Sequence, residues 1–200
     1  MTKHNQIQLF EDQKVRAVIV TFRRTRRLSM RIAQNGDVHV SAPVGMAKRE
    51  VEAFIQNNRD WIATARKNTA QRQQQRHDFY AQLPLDTPAQ RHDATQRLQA
   101  IVAPLLQRHA AEMGVQPAAV TFRNTISRWG SCNHRTRRLS LSIYLLLLPE
   151  WCIEHVVVHE LAHLLVPNHG PAFYAVMDRH FPRWREARAE ARRLISSHQE

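Results

Sequence analysis

Between Pro149 and Pro167 lies an apolar run, with Val156, Val157 and Val158 on one side and Leu161, Leu164 and Leu165 on the other of His159-Glu160; His163 follows inside it. Proline suits the first position of a helix and pushes the residue before it out of the α region, so the two prolines bound one helix. Burying three polar side chains among aliphatic ones is costly unless they share a task. Residues four apart stack on one helix face, so His159 and His163 can hold one metal ion, with Glu160 beside it as a general base. A catalytic zinc takes three protein ligands and keeps one position for water. His169, just past the break at Pro167, is favoured as the third ligand; Glu186, then Glu190, are the alternatives on a following helix. Random sequence of this composition holds His-Glu-x-x-His about 4% of the time, so the weight comes from the apolar setting and the third histidine.

Upstream, residues 15–42 read as β structure. Val15–Phe22 is β-branched and apolar apart from Arg16. Leu28, Met30 and Ile32 alternate with polar residues, as do Val38 and Val40. Asn35-Gly36 between the last two runs predicts a hairpin, because both residues accept positive φ. From Met46 to about Lys67 the period becomes helical, with Val51, Phe54, Ile55 and Ile62 on one face. Asn68–Asp78 lacks an apolar face and reads equally as a solvated helix extension or a linker. A second helix spans Pro88 to Met113, where Pro104 predicts a kink or break and Gly114 a terminator. Val120–Phe122 and Arg138–Ile143 read as strands flanking an irregular loop, Ser127–Asn133. Gly170-Pro171 opens a helix to about Met177, and Arg183–Ser196 forms a last one.

Charge is unevenly distributed. Of the 200 residues, 29 are Lys or Arg and 17 Asp or Glu, a formal net charge of +12. Residues 1–80 hold 15 basic and 7 acidic side chains, 81–145 hold 8 and 3, and 146–200 hold 6 and 7. The basic excess therefore precedes the histidine region. Its densest run is Arg23, Arg24, Arg26, Arg27 and Arg31, which on a hairpin would project from one face and suit phosphates. A solvated strand edge protected by charge is the competing reading. Met1–Lys14 has no apolar core for a signal peptide, no run approaches a membrane span, and two cysteines without CxxC spacing argue for a reducing, cytoplasmic setting.

Three blocks carry a family resemblance. They are Arg27–Ile32 with Asn35–Pro43 and the Phe54…Trp61 helix; Ser127-Arg-Trp-Gly-Ser-Cys132; and Val156–His163 with Asn168-His-Gly170 and Phe173. In that order they resemble the YgjP-like, WLM-related zinc metallopeptidases, relatives of the SprT-type proteases. The resemblance implies a zincin-like fold, zinc on His159, His163 and His169, and Glu160 as catalytic acid/base. His155 stands where tyrosine is frequent, Ser142 where asparagine is usual and Tyr174 where tryptophan is typical.

His155, one turn before His159, reads as a residue behind the site or partly in solvent, the alternative being a substrate or oxyanion contact that faces the site. Tyr174 is a packing residue or an oxyanion donor. Arg128 and Trp129 lie in a loop that borders a cleft or merely shapes a turn, and the Arg138–Ile143 strand is expected to pair with an extended substrate. Cys132 reads as a small buried thiol. The expectation is an α+β chain: a basic β-hairpin and helix region with a polar linker over 1–80, then a zincin-like catalytic region over 81–200. Its function would be zinc-dependent peptide hydrolysis on a protein or peptide substrate, with nucleic acid a possible partner of the basic region and no membrane contact. The alternative is a non-proteolytic, basic nucleic-acid-binding module with a structural zinc.

Overall fold

The computed structural model describes residues 6–8 and 17–196. The reading of Met1–Lys14, apart from the backbone of Gln6–Gln8, and of Val15 and Arg16 lies outside them. The architecture is α+β, and two compact units divide at Gln74 and Gln75, inside one helix.

The first unit is a four-stranded sheet of β1 (Gln6–Gln8), β2 (Val18–Arg23), β3 (Ser29–Ile32) and β4 (Val38–Pro43), in the order β1-β2-β4-β3. Val18, Val20, Val38, Val40 and Ala42 face a core closed by Val51 and Ile55 of α1 (Lys48–Asn57). The β3–β4 hairpin forms as expected, but only Gly36 takes positive φ (84°). Gly36 N–H donates to Ala33 O at 2.9 Å and Ala33 N–H to Asp37 O at 2.8 Å, the pattern of a three-residue loop with glycine in its last position. β2 does not join that hairpin; it runs parallel to β4 on the opposite side from β3. The helical run from Met46 is two helices, α1 and α2 (Arg59–Ala81). They part at Asn58, whose side-chain amide donates to Phe54 O at 2.7 Å and so competes with the helical ladder. Asn68–Asp78 lies wholly within α2.

In the second unit, α3 (Pro88–Met113) starts at a capping box. Thr87 Oγ1 accepts from Gln90 N–H at 3.2 Å, and Gln90 Oε1 accepts from Thr87 N–H at 2.9 Å. Pro104 does not end this helix. Pro104 and Ala100 are both exposed, so the carbonyl deprived of its partner meets water. Strands β5 (Ala119–Arg123), β6 (Gly130–Asn133) and β7 (Arg138–Ser142) form a sheet in the order β5-β7-β6. The expected irregular loop is thus partly strand β6. It also corrects the substrate expectation: β7 is central, with both edges paired, and β5 and β6 are the edge strands. Ile143 opens a short 3₁₀ turn rather than extending β7.

Then follow α4 (Glu150–Ala162), α5 (Pro171–His180) and α6 (Trp184–Ser196). Their apolar faces, with Leu98, Val102 and Leu105 of α3 and Leu139 and Leu141 of β7, make the larger core. Helices α3 and α4 are also tied by polar contacts. Glu154 Oε1 lies 2.7 Å from His109 Nε2 and accepts from Arg108 at 2.6 Å. No described helix is long and apolar enough to cross a membrane.

Candidate metal centre

The helical period carries His159 and Glu160 to the end of α4, and His163 caps that helix rather than lying mid-helix. Leu164–Val166 leave the helix before Pro167, and the chain turns back through Asn168-His169-Gly170 into α5. This reversal brings His169 onto the other two histidines. One ligand atom from each of His159, His163 and His169 lies within 4.8 Å of the others, and His169 Nε2 is 3.0 Å from His159 Nε2. Phe173, wholly buried on α5, sets its ring 4.7 to 4.9 Å from all three imidazoles and forms their floor. Among the described residues, Glu186 and Glu190 instead form ion pairs with Arg183 and Arg193 on the face of α6.

The donor chemistry suits a borderline cation. Burial, reinforced by His163, His155, His169 and Arg188, holds the His159 imidazole down to about 3, so it is neutral and keeps a lone pair. His163 is also lowered, chiefly by burial. Its Nδ1 lies 3.2 Å from Val166 O; a carbonyl only accepts, so Nδ1 carries the proton and Nε2 the lone pair. Such a contact to the outer nitrogen orients a metal-binding histidine. Three imidazoles converging on one point, His159 and His163 among them held below the usual histidine range, fit a zinc-type ion.

Glu160 is 4% exposed, and its Oε2 has no hydrogen-bond partner. Burial pushes its carboxyl up to about 8, with the Arg128 charge opposing. Space for it comes from β6: a Cβ on Gly130 would stand 2.5 Å from Glu160 Oε1 and 2.7 Å from Cγ. Glycine is required there by close approach, not by its backbone angles. Cys132, two residues on, is half-buried against the core, and burial with the Glu160 charge pushes its thiol up to about 11. It is a packed thiol and not a ready nucleophile.

The cleft over the histidines holds about 400 Å³ and is lined by Arg128, Trp129, Gly130, His155, Tyr174 and Arg188 among others. Trp129 is anchored by packing 6.0 Å from Tyr80 and 6.3 Å from Phe79. Its carbonyl accepts from Ser142 N–H at 2.8 Å, while Ser142 Oγ donates to Thr125 O at 2.6 Å. Ser142 thereby ties the Arg128 loop to β7. His155 is buried, its ring 5.9 Å from His159 and 5.8 Å from Phe181; burial, then Arg188, lowers it to about 4. Tyr174 stacks on Trp184 at 5.0 Å.

Gly130, Phe173 and Arg188 escape sequence reasoning as site components. Gly130 and Phe173 stand in blocks that carry the family resemblance, and Arg188 lies four residues after Trp184 on one face of α6. The arginine run is not arranged as expected on a hairpin face: Arg23 ends β2, Arg24, Arg26 and Arg27 follow it before β3, and only Arg31 lies in the hairpin. All five are exposed.

Comparison with known proteins bears on this geometry. The YgjP-like metallopeptidase domain matches residues 26–85 and 87–193. Curated proteins give no match. Among solved structures, the metallopeptidase zymogen of Pyrococcus abyssi abylysin is 24% identical with a TM-score of 0.42, covering 50% of this chain and 97% of its own. The metallopeptidase zymogen of Methanocaldococcus jannaschii jannalysin is 16% identical with a TM-score of 0.42, covering 46% of this chain and 94% of its own. With the family match spanning the hairpin, the β6 loop and the histidine helix alike, this chain belongs to the YgjP-like metallopeptidase domain family.

Proposed function

We propose that the chain is a zinc-dependent peptidase in which His159, His163 and His169 hold the metal and Glu160 is the general base. The observation that carries this reading is a buried carboxylate oxygen without a hydrogen-bond partner beside three converging imidazoles. A zinc ion held there would supply a Lewis acid that lowers the pKa of a water molecule to about 7 and polarises a peptide carbonyl. Glu160 takes a proton at its carboxylate and returns it to the departing amine. Burial raises this carboxyl, so it holds a proton readily, while a dication beside it would favour the carboxylate that a general base needs. His163 is held in one tautomer by Val166 O, and Phe173 keeps water from beneath the imidazoles. The edge strand β6 offers free backbone groups beside the cleft for an extended substrate. A structural zinc is the weaker reading, since three ligands leave a coordination position open and structural sites are closed by four.

The test is Glu160→Gln. It should retain the metal by elemental analysis and lower cleavage of casein or of a self substrate by about 10²–10⁴-fold. Undiminished cleavage would overturn the mechanism. The same proposal assigns Arg23, Arg24, Arg26, Arg27 and Arg31 to contact with nucleic-acid phosphates. All five are exposed, and among the described residues none forms an ion pair.

A further inference from the structure

The cleft is not the second unit's only large cavity. A groove of about 800 Å³ is lined by Thr121, Arg123, Arg128, Ser131, Arg138 and Ser140 among others. Register places Thr121 beside Ser140 and Ser140 beside Ser131, so three hydroxyls cross the sheet in one row. Their strand neighbours Leu139 and Leu141 are buried in the core, so by alternation this row turns away from it. Arg128 lines both cavities. A substrate lying along β6 can therefore pass from the histidines over Arg128 and into the groove.

Charge decides what fits. Arg123, Arg128, Arg138 and the cleft residue Arg188 are exposed, and among the described residues none forms an ion pair. No Asp or Glu lines the groove, and the cleft's one carboxyl is the buried Glu160. Guanidiniums grouped without an internal counter-ion favour carboxylate or phosphate ligands. The groove has no Phe, Tyr or Trp among its lining residues, so it lacks the stacking platform that single-stranded nucleic acid uses. Hydroxyls and a free strand edge suit an extended peptide backbone instead.

We infer that the preferred substrate is a protein segment with a run of acidic residues on one side of its scissile bond, seated in this groove by Arg123, Arg128 and Arg138. This rests on the peptidase reading and names its substrate class.

Binding tests it without cleavage. Full-length Glu160→Gln protein is titrated with fluorescent peptides sharing one core sequence and flanked by Glu, Gln or Lys residues. At low salt the Glu-flanked peptide should bind about tenfold more tightly than the Gln-flanked one. Arg123→Gln with Arg138→Gln should abolish that preference, and the corresponding Lys pair should keep most of it. Arg97→Gln with Arg192→Gln, which removes equal charge from α3 and α6, should leave it. Equal affinity for the Glu and Gln peptides, or a preference surviving removal of Arg123 and Arg138, would overturn the inference. So would a thymidine oligonucleotide that displaces the acidic peptide and depends on the same arginines. Cleavage by the unmodified protein separates the two readings. Acidic binding with no peptide cut would overturn the peptidase reading alone; cutting without acidic preference would overturn the groove assignment alone.

Discussion

The two units contain the same three-stranded arrangement put to different uses. In β2-β3-β4 and again in β5-β6-β7, the first strand runs parallel to the third, the second runs antiparallel to it, and the third lies between them. Each third strand turns aliphatic side chains inward, Val38 and Val40 in β4 and Leu139 and Leu141 in β7. The contrast is one strand over. Met30 sits opposite Val40 and packs against the first core; Gly130 sits opposite Leu141 and leaves its space to Glu160. The helices differ in step: α1 buries Val51 and Ile55, whereas α4 also buries His155 and Glu160. Strand order supplies a platform, and removing one side chain from it makes room for a buried acid.

The largest effect is expected at Gly130. Gly130→Ala should lower kcat about 10²-fold with bound metal and melting temperature near their original values, because its Cβ must displace the Glu160 carboxylate. In the Glu160→Gln background the same change should cost nothing further. An unchanged kcat in the single variant would show that the space beneath Glu160 is not needed.

His155 sharpens the contrast between the helices. Its folded-state pKa of about 4 lies below the ordinary 6.5, so between those values the unfolded chain binds more protons. Its share of stability is therefore complete above about pH 6.5 and disappears as pH falls towards 4, at most about 3 kcal/mol. In metal-free protein, His155→Phe should flatten the fall in melting temperature over that range. An equally steep fall would remove His155 as a cause.

Carrying glycine into the first sheet should do less. Met30→Gly removes a partly buried side chain and adds unfolded-state freedom, lowering stability by about 2 kcal/mol with kcat unchanged. A matching drop in kcat would mean that the first sheet takes part in turnover. The smallest effect concerns the arginine run. Replacing Arg23, Arg24, Arg26 and Arg27 by Gln should shrink the log–log salt slope of DNA binding by roughly one for each phosphate no longer neutralised. An unchanged slope would place nucleic acid elsewhere, and no binding at low salt would remove the idea.

Features settled by neighbours in sequence were legible. Asn35-Gly36 marks its hairpin because a tight loop needs a residue free to take positive φ, and Gly36 does. His159 and His163 share a face because the helical repeat is local, and Pro167 marks where that helix must already have ended. The break that Pro104 could have made does not occur, and the reason is tertiary: Pro104 and Ala100 lie on the solvent side of α3, where the orphaned carbonyl meets water. Strand β6 was illegible because Gly-Ser-Cys-Asn has little intrinsic preference for a strand and becomes one by pairing with β7.

Local sequence suffices for the helix that carries His159, Glu160 and His163, the break that follows it, the hairpin of the first unit and the basic excess before residue 146. These rest on periodicity, backbone restriction and composition, which act over a few residues. Packing between elements brings His169 to His159, sets Phe173 under all three rings, makes Gly130 give way to Glu160 and lets Arg128 join the cleft to a second groove. Each of these is a meeting of side chains from different elements. What brings them together is burial of the shared core, which no local pattern records.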